Sequence, residues 1–247
     1  MNFTKRKLAK EFHGKWNDIF ENAQEYSGSN LDLAQYDQAV IPTNDGRLIL
    51  GFLYVSEGNS IIIPEPDPSI LYLTNAEREI LALLKLKKYF NDAPIGSESA
   101  KTANKFFDFF QHAMNFTINL CASIEAFHNS VIPHDFRHKR KSKYLSKNEI
   151  QRFCNFEEKA KKILPLVYKR SYVQDFGSRY DILLDLKKLR DGVIHTKDYS
   201  SIGQSVSYRK LYIDFLNFDF ENSLLIVKEY INYYEPDHIE KGEQFNI

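Results

Sequence analysis

Apolar positions along the chain change their period twice, from helical to strand-like and back to helical. Leu8, Phe12, Trp16 and Phe20 recur at every fourth position, which predicts a helix over residues 4–26 with one apolar stripe. Tyr26-Ser27-Gly28-Ser29-Asn30 interrupts that pattern. Three shorter apolar runs follow, Gln38 to Ile41, Arg47 to Val55 and Ile61 to Ile63. They are rich in strand-favouring residues and are separated by the turn signals Asn44-Asp45-Gly46 and Glu57-Gly58-Asn59. A three-stranded antiparallel meander is predicted, closed off by Pro64, Pro66 and Pro68.

From Thr74 onward the pattern is helical throughout. Thr74-Asn75-Ala76-Glu77 reads as a capping box that launches a helix to about Phe90. After a loop over Asn91 to Gly96, a long helix runs from about Ser97 to Val131 and stops before Pro133. Ser146-Lys147-Asn148-Glu149 is a second capping box, for a helix to about Leu164. Ser178 is placed to cap a helix ending near His195, and a last helix runs from about Tyr208 to Tyr234. The expected fold is mainly α: a helical bundle over 74–247, preceded by a helix-plus-meander appendage over 1–73.

Composition sharpens this picture. Hydrophobic residues make up 43% of the 247, with 19 Phe and 15 Tyr, enough to fill a substantial core. Lys and Arg (33) balance Asp and Glu (33), so any nucleic acid must be held by a local patch and not by a global field. The strongest patch is Arg137-His138-Lys139-Arg140-Lys141-Ser142-Lys143. Arg137, Lys139, Arg140, Lys141 and Lys143 are candidate phosphate contacts, and a solvated linker accounts for the same run equally well. Cys121 and Cys154 are isolated and read as small buried hydrophobes, not as a disulfide or a zinc site. His134 and His138 are four apart, but Pro133 disfavours the helix that a metal pair needs; no metal and no other cofactor is expected. No apolar run approaches the roughly 20 residues of a membrane span, and Lys5-Arg6-Lys7 is not followed by an apolar core. A cytoplasmic protein is the expectation.

Two stretches carry candidate chemistry. Leu189-Arg190-Asp191-Gly192-Val193-Ile194-His195 ends a strong helix. An arginine binds phosphate through two parallel hydrogen bonds, and a histidine moves protons near neutral pH. Asp191 and His195 are i, i+4 neighbours, so Asp191 is expected to orient the imidazole. Gly192 points to a close backbone approach. Basic residues at a helix end also complement the dipole, and on spacing alone that plain helix end explains the motif. The second stretch is Ala122-Ser123-Ile124-Glu125-Ala126-Phe127-His128-Asn129, within an apolar helix. Glu125 and Asn129 share a face, and His128 lies close by. A carboxylate there needs a partner: Arg190 is one candidate, and solvent or a lysine is the alternative.

Taken together and in this order, the two stretches resemble the HEPN superfamily of helical ribonuclease-type domains over roughly residues 74–235. Residues 189–195 resemble its Arg-polar-x3-His motif, and Ser123 to Asn129 is similar to the acid-bearing helix that precedes it. The resemblance implies a bundle that forms a homodimer, with a composite active site across the interface. It implies a metal-independent endoribonuclease acting on RNA, in a toxin–antitoxin or anti-phage defence setting with an antitoxin or other defence protein as partner. Carried over by position, Arg190 and His195 are the catalytic pair, Asp191 the polar position and Glu125 the supporting acid. Asn129 is a further carry-over, and His128 beside it is a supporting candidate. The alternative function is a non-catalytic module that keeps the fold and binds RNA or protein.

Overall fold

The computed structural model describes residues 38–42, 48–56, 59–92, 100–195 and 205–239. The helix expected over 4–26 and the Asn44-Asp45-Gly46 turn lie outside these residues. The chain divides into two compact units between Asp67 and Pro68. In the first unit, β1 (Gln38–Pro42), β2 (Leu48–Ser56) and β3 (Asn59–Pro64) pair antiparallel in the order β1-β2-β3. Val40 lies opposite Leu50, and Tyr54 opposite Ile61. The β-branched residues of these runs suit a pleated, half-buried surface.

The second unit is helical. Its first helix, α1 (Pro68–Asp92), begins six residues before Thr74. Pro68 is its first residue, where a missing N–H leaves no bond unmade. Thr74 and Glu77 therefore sit inside the helix, and Glu77 pairs with Lys228 instead of closing a capping box. Helix α2 (Ala100–Ser130) runs antiparallel to α1: Tyr89 meets Thr102, Glu79 meets His112, and Ser123 Oγ donates to the Ser69 carbonyl. Phe109, Phe116, Leu120, Ile124 and Phe127 recur at helical spacing along α2, and all are buried. Each contributes roughly 1.5–3 kcal/mol by leaving water.

A β-hairpin follows where only helices were expected: β4 (His138–Arg140) and β5 (Lys143–Leu145). His138 and Leu145 oppose each other and point inward, while Lys139 and Tyr144 oppose each other and are exposed. Lys141 makes the turn with a left-handed φ of 55°. Three-residue strands are too short for their alternation to stand out within a charge run. The Ser146 capping box forms with both arms and starts α3 (Lys147–Phe153). That helix stops eleven residues short of Leu164, because Cys154 is extended and the Asn155 side chain caps a new start. Next come α4 (Phe156–Glu158), a π-helical segment over Lys159–Ile163, and α5 (Leu164–Tyr168). A small satellite core of Ile132, Leu145, Ile150, Cys154 and Ile163 seats the hairpin and α3.

Helix α6 (Tyr172–Asp175) is capped by Ser171, and α7 (Gly177–Ile194) follows. Ser178 lies within the first turn of α7 and does not cap it; the Phe176 carbonyl accepts from the Tyr180 N–H. The expected last helix is two, α8 (Ser205–Asn217) and α9 (Phe220–Tyr234). They are parted at Phe218 and Asp219, where Asp219 caps α9 through the Asn222 N–H. Tyr212 packs edge-on to Phe106 and Phe110, and Phe220 edge-on to Phe109 and Phe116, so α8 and α9 close over α2. Among the described residues, no helix is long and apolar enough to cross a membrane.

Candidate functional site

Helix α7 lies parallel to the C-terminal half of α2. Cys121 Sγ reaches the Leu186 carbonyl, and one turn further along both helices Arg190 reaches Glu125. Leu183, Leu186, Leu189 and Val193 bury the inner face of α7. That register leaves Arg190 on the flank facing α2, and its Nη2 donates to Glu125 Oε1. The Glu125 side chain is 44% exposed and the Arg190 side chain 19%. Arg190 Nε lies 3.4 Å from Asp191 Oδ1. This is a charge contact without a directed hydrogen bond, since Nε is buried and unpartnered by geometry among the described residues.

Asp191 accepts from Lys187 Nζ at 2.5 Å. His195 is the C-cap of α7, with φ −100° and ψ 40°, and its backbone N–H donates to the Asp191 carbonyl. Its imidazole is exposed, and among the described residues nothing hydrogen-bonds to it. The expected orienting bond from Asp191 is therefore absent. Lys187 and Arg190 hold the Asp191 carboxylate instead.

Asn129, one turn beyond Glu125, accepts from Lys159 Nζ at 2.8 Å, and the same amine donates to the Gln151 carbonyl at 3.3 Å. Lys159 is buried, and burial lowers its ammonium pKa while Glu125 and Cys154 oppose the shift. Lys159 begins the π-helical segment, whose extra residue per turn re-aims side chains. Sequence reasoning missed Lys159: Glu157-Glu158-Lys159-Ala160-Lys161-Lys162 reads as a solvated helix face. Five charges thus converge, Arg190, Lys187 and Lys159 against Glu125 and Asp191, beside an exposed histidine. Cys121 lies beneath this cluster, and burial pushes its thiol up to about 12, against the opposing pull of Arg190, so it is no nucleophile at neutral pH.

His128 does not belong to this surface. It is fully buried, and its Nε2 pairs with the Tyr230 hydroxyl at 2.8 Å. Burial, aided by Lys159, pushes its imidazole down to about 3. Three residues on from Glu125 is roughly 300° round the helix, which turns His128 toward α9 and the core.

The basic run is partly committed. Arg140 pairs with Glu158 at 3.3 Å and donates to the Phe153 carbonyl. Lys143 pairs with Glu149 at 2.6 Å, and Lys143 with Ser146 holds the Glu149 carboxyl down at about 2. Arg137 donates to the His134 and Phe136 carbonyls. Lys139 and Lys141 are exposed, with no acidic partner among the described residues. His138 is buried beside Glu158, and the described residues contain no group of three side chains able to hold a metal ion.

A shallow cavity of about 540 Å³ opens between α7 and α8, lined by Asp185, Lys188, Leu189, Gly192 and Leu211 among others. It lies on the Gly192 side of α7, away from Arg190. A Cβ on Gly192 would stand 3.0 Å from the Leu211 side chain, so the expected close approach is to a leucine and not to a ligand. Comparison of the chain with protein-family models, with curated proteins and with solved structures finds no match.

Proposed function

We propose that this protein is a metal-independent endoribonuclease of HEPN type, working as a homodimer in a toxin–antitoxin or anti-phage defence setting. The observation that carries the reading is the ion pair between Arg190 of α7 and Glu125 of α2. It joins two stretches 65 residues apart at the Arg-polar-x3-His helix end. His195 stands exposed about 7.5 Å further along the helix axis. In the proposed reaction the RNA 2′-OH attacks the adjacent phosphorus, and the bond from phosphorus to the 5′ oxygen breaks. One His195 takes the 2′-OH proton, and the His195 of a second copy gives a proton to the leaving oxygen, each worth about 10²–10⁴-fold. Arg190, released from Glu125 by the incoming phosphate, stabilises the charge developing on the phosphoryl oxygens. A substrate without the 2′-OH is not cleaved.

The test is RNA cleavage in EDTA by the purified protein, with 2′,3′-cyclic phosphate ends and loss of activity in Arg190→Ala and His195→Ala. No cleavage by a wild-type dimer, or equal cleavage by the double variant, sinks the assignment. The second reading is a non-catalytic RNA- or protein-binding module. It draws on the commitment of Arg190 to two carboxylates and on the lack of an orienting partner for the His195 ring among the described residues.

A further inference from the structure

The β4–β5 hairpin concentrates charge that the chain as a whole lacks. Between His134 and Phe153 there are seven Lys and Arg against two acids, Asp135 and Glu149. The inner face of the hairpin is neutralised: His138 and Arg140 both reach Glu158. The outer face is not. Lys139 and Tyr144 sit side by side across the ribbon, with Lys141 at the tip. Tyr144 is 61% exposed. Phe153 is 52% exposed and is drawn to the hairpin through its carbonyl, which accepts from Arg140. The Arg152 guanidinium covers part of that ring at 5.3 Å from its centroid.

Two exposed rings, one beside the free ammonium groups and the other partly covered by a guanidinium, suit an occupant that is both polyanionic and flat. A phosphate backbone alone would leave the rings in water, and an apolar peptide would leave the charges unpaired. Single-stranded nucleic acid offers both features, since each base has a face free to stack. In a duplex the bases are already stacked and cannot lie on Tyr144. The platform is anchored by the satellite core through Leu145 and Ile150. It also adjoins the candidate site. Gln151 of α3 donates to the Asn129 carbonyl and accepts from Lys159, which ties the platform to α2 one turn beyond Glu125.

We propose that the outer face of this hairpin holds single-stranded RNA, stacking a base on Tyr144 and pairing its phosphates with Lys139 and Lys141. This rests on the reading of the chain as an RNA-directed protein, but its test measures binding and not cleavage. A fluorescent single-stranded RNA of about 12 nucleotides is titrated against the full chain by anisotropy, beside its own duplex. Tyr144→Ala is expected to weaken single-strand binding about 5- to 150-fold, and Tyr144→Phe, which keeps the ring, to stay within about twofold of wild type. Lys139→Ala with Lys141→Ala is expected to lower the salt slope of binding by about 1.4. Duplex bound as tightly as single strand overturns the proposal, as does unchanged binding by a folded Tyr144→Ala variant. Tyr144-dependent binding of polyglutamate without RNA binding also overturns it and assigns the hairpin to an acidic protein. Tight, Tyr144-dependent RNA binding without any cleavage upholds it while the nuclease reading fails.

Discussion

Removing one buried titration, by His128→Gln, should flatten the acid response of the whole fold. The native state keeps the His128 ring neutral, because burial holds its pKa at about 3 where an ordinary imidazole has 6.5. An unfolded chain takes up that proton below about pH 6.5, so there the unfolded state binds more protons than the native one. The stability that His128 contributes is therefore complete above pH 6.5 and is lost as pH falls toward 3. Its limiting slope is about 1.4 kcal/mol per pH unit. Between pH 6.5 and about pH 5 the loss amounts to about 2 kcal/mol, or about 4–8 °C in Tm for a chain of this size. Glutamine does not titrate, yet its amide can still bond the Tyr230 hydroxyl. Urea unfolding at several pH values gives the difference in stability between wild type and variant. That difference should shrink by about 2 kcal/mol over this interval, whatever its value at neutral pH. Parallel pH curves for the two proteins would show that the ring titrates normally in the native state, and the burial argument would fall. The same variant should leave the pH profile of any RNA cleavage unchanged, since His128 is 0% exposed.

Three further outcomes follow from packing and charge. Ile150→Ala hollows the satellite core under the hairpin and should cost about 2–5 kcal/mol in chemical unfolding; a loss below about 0.5 would mean the hairpin is seated otherwise. Gly192→Ala gains roughly 1 kcal/mol of helix propensity but pushes on the flexible end of Leu211. It should therefore stay within about 1 kcal/mol of wild type by thermal unfolding, and a larger loss would mean that Leu211 cannot yield. A double-mutant cycle of Glu125→Gln and Arg190→Gln should give a favourable coupling of about 0.5–2 kcal/mol at low salt, moderated because Glu125 is nearly half exposed. Zero coupling would remove the ion pair from the description of the site.

Much of the helical unit was legible because its signals are local. The long helix α2, the Ser146 box and the Pro133 stop each depend on residues within one or two turns, and each appears where expected. The Thr74 box was misread because the start of a helix is also set by what lies before it: Pro68 already supplies a fixed φ and lacks the N–H that would go unbonded. The joined helix over 208–234 failed at Asp219, one side chain whose cap outweighs a continuous apolar pattern. The hairpin was hidden for a different reason. Its inward residues, His138 and Leu145, become buried only after the chain has folded back on itself.

The sequence by itself determined the mainly helical class, the acid-bearing helix, the Arg190-to-His195 helix end and the local charge of residues 137–143, since composition and period are properties of neighbouring residues. Tertiary structure alone decided which of these meet. The parallel register of α2 and α7 brought Glu125 to Arg190, the π-helical turn brought Lys159 to Asn129, and burial against Tyr230 removed His128 from the surface. Each outcome depends on groups 30 to 102 residues apart in the chain. The free energies that place them, desolvation and close charge pairing, exist only when packing excludes water.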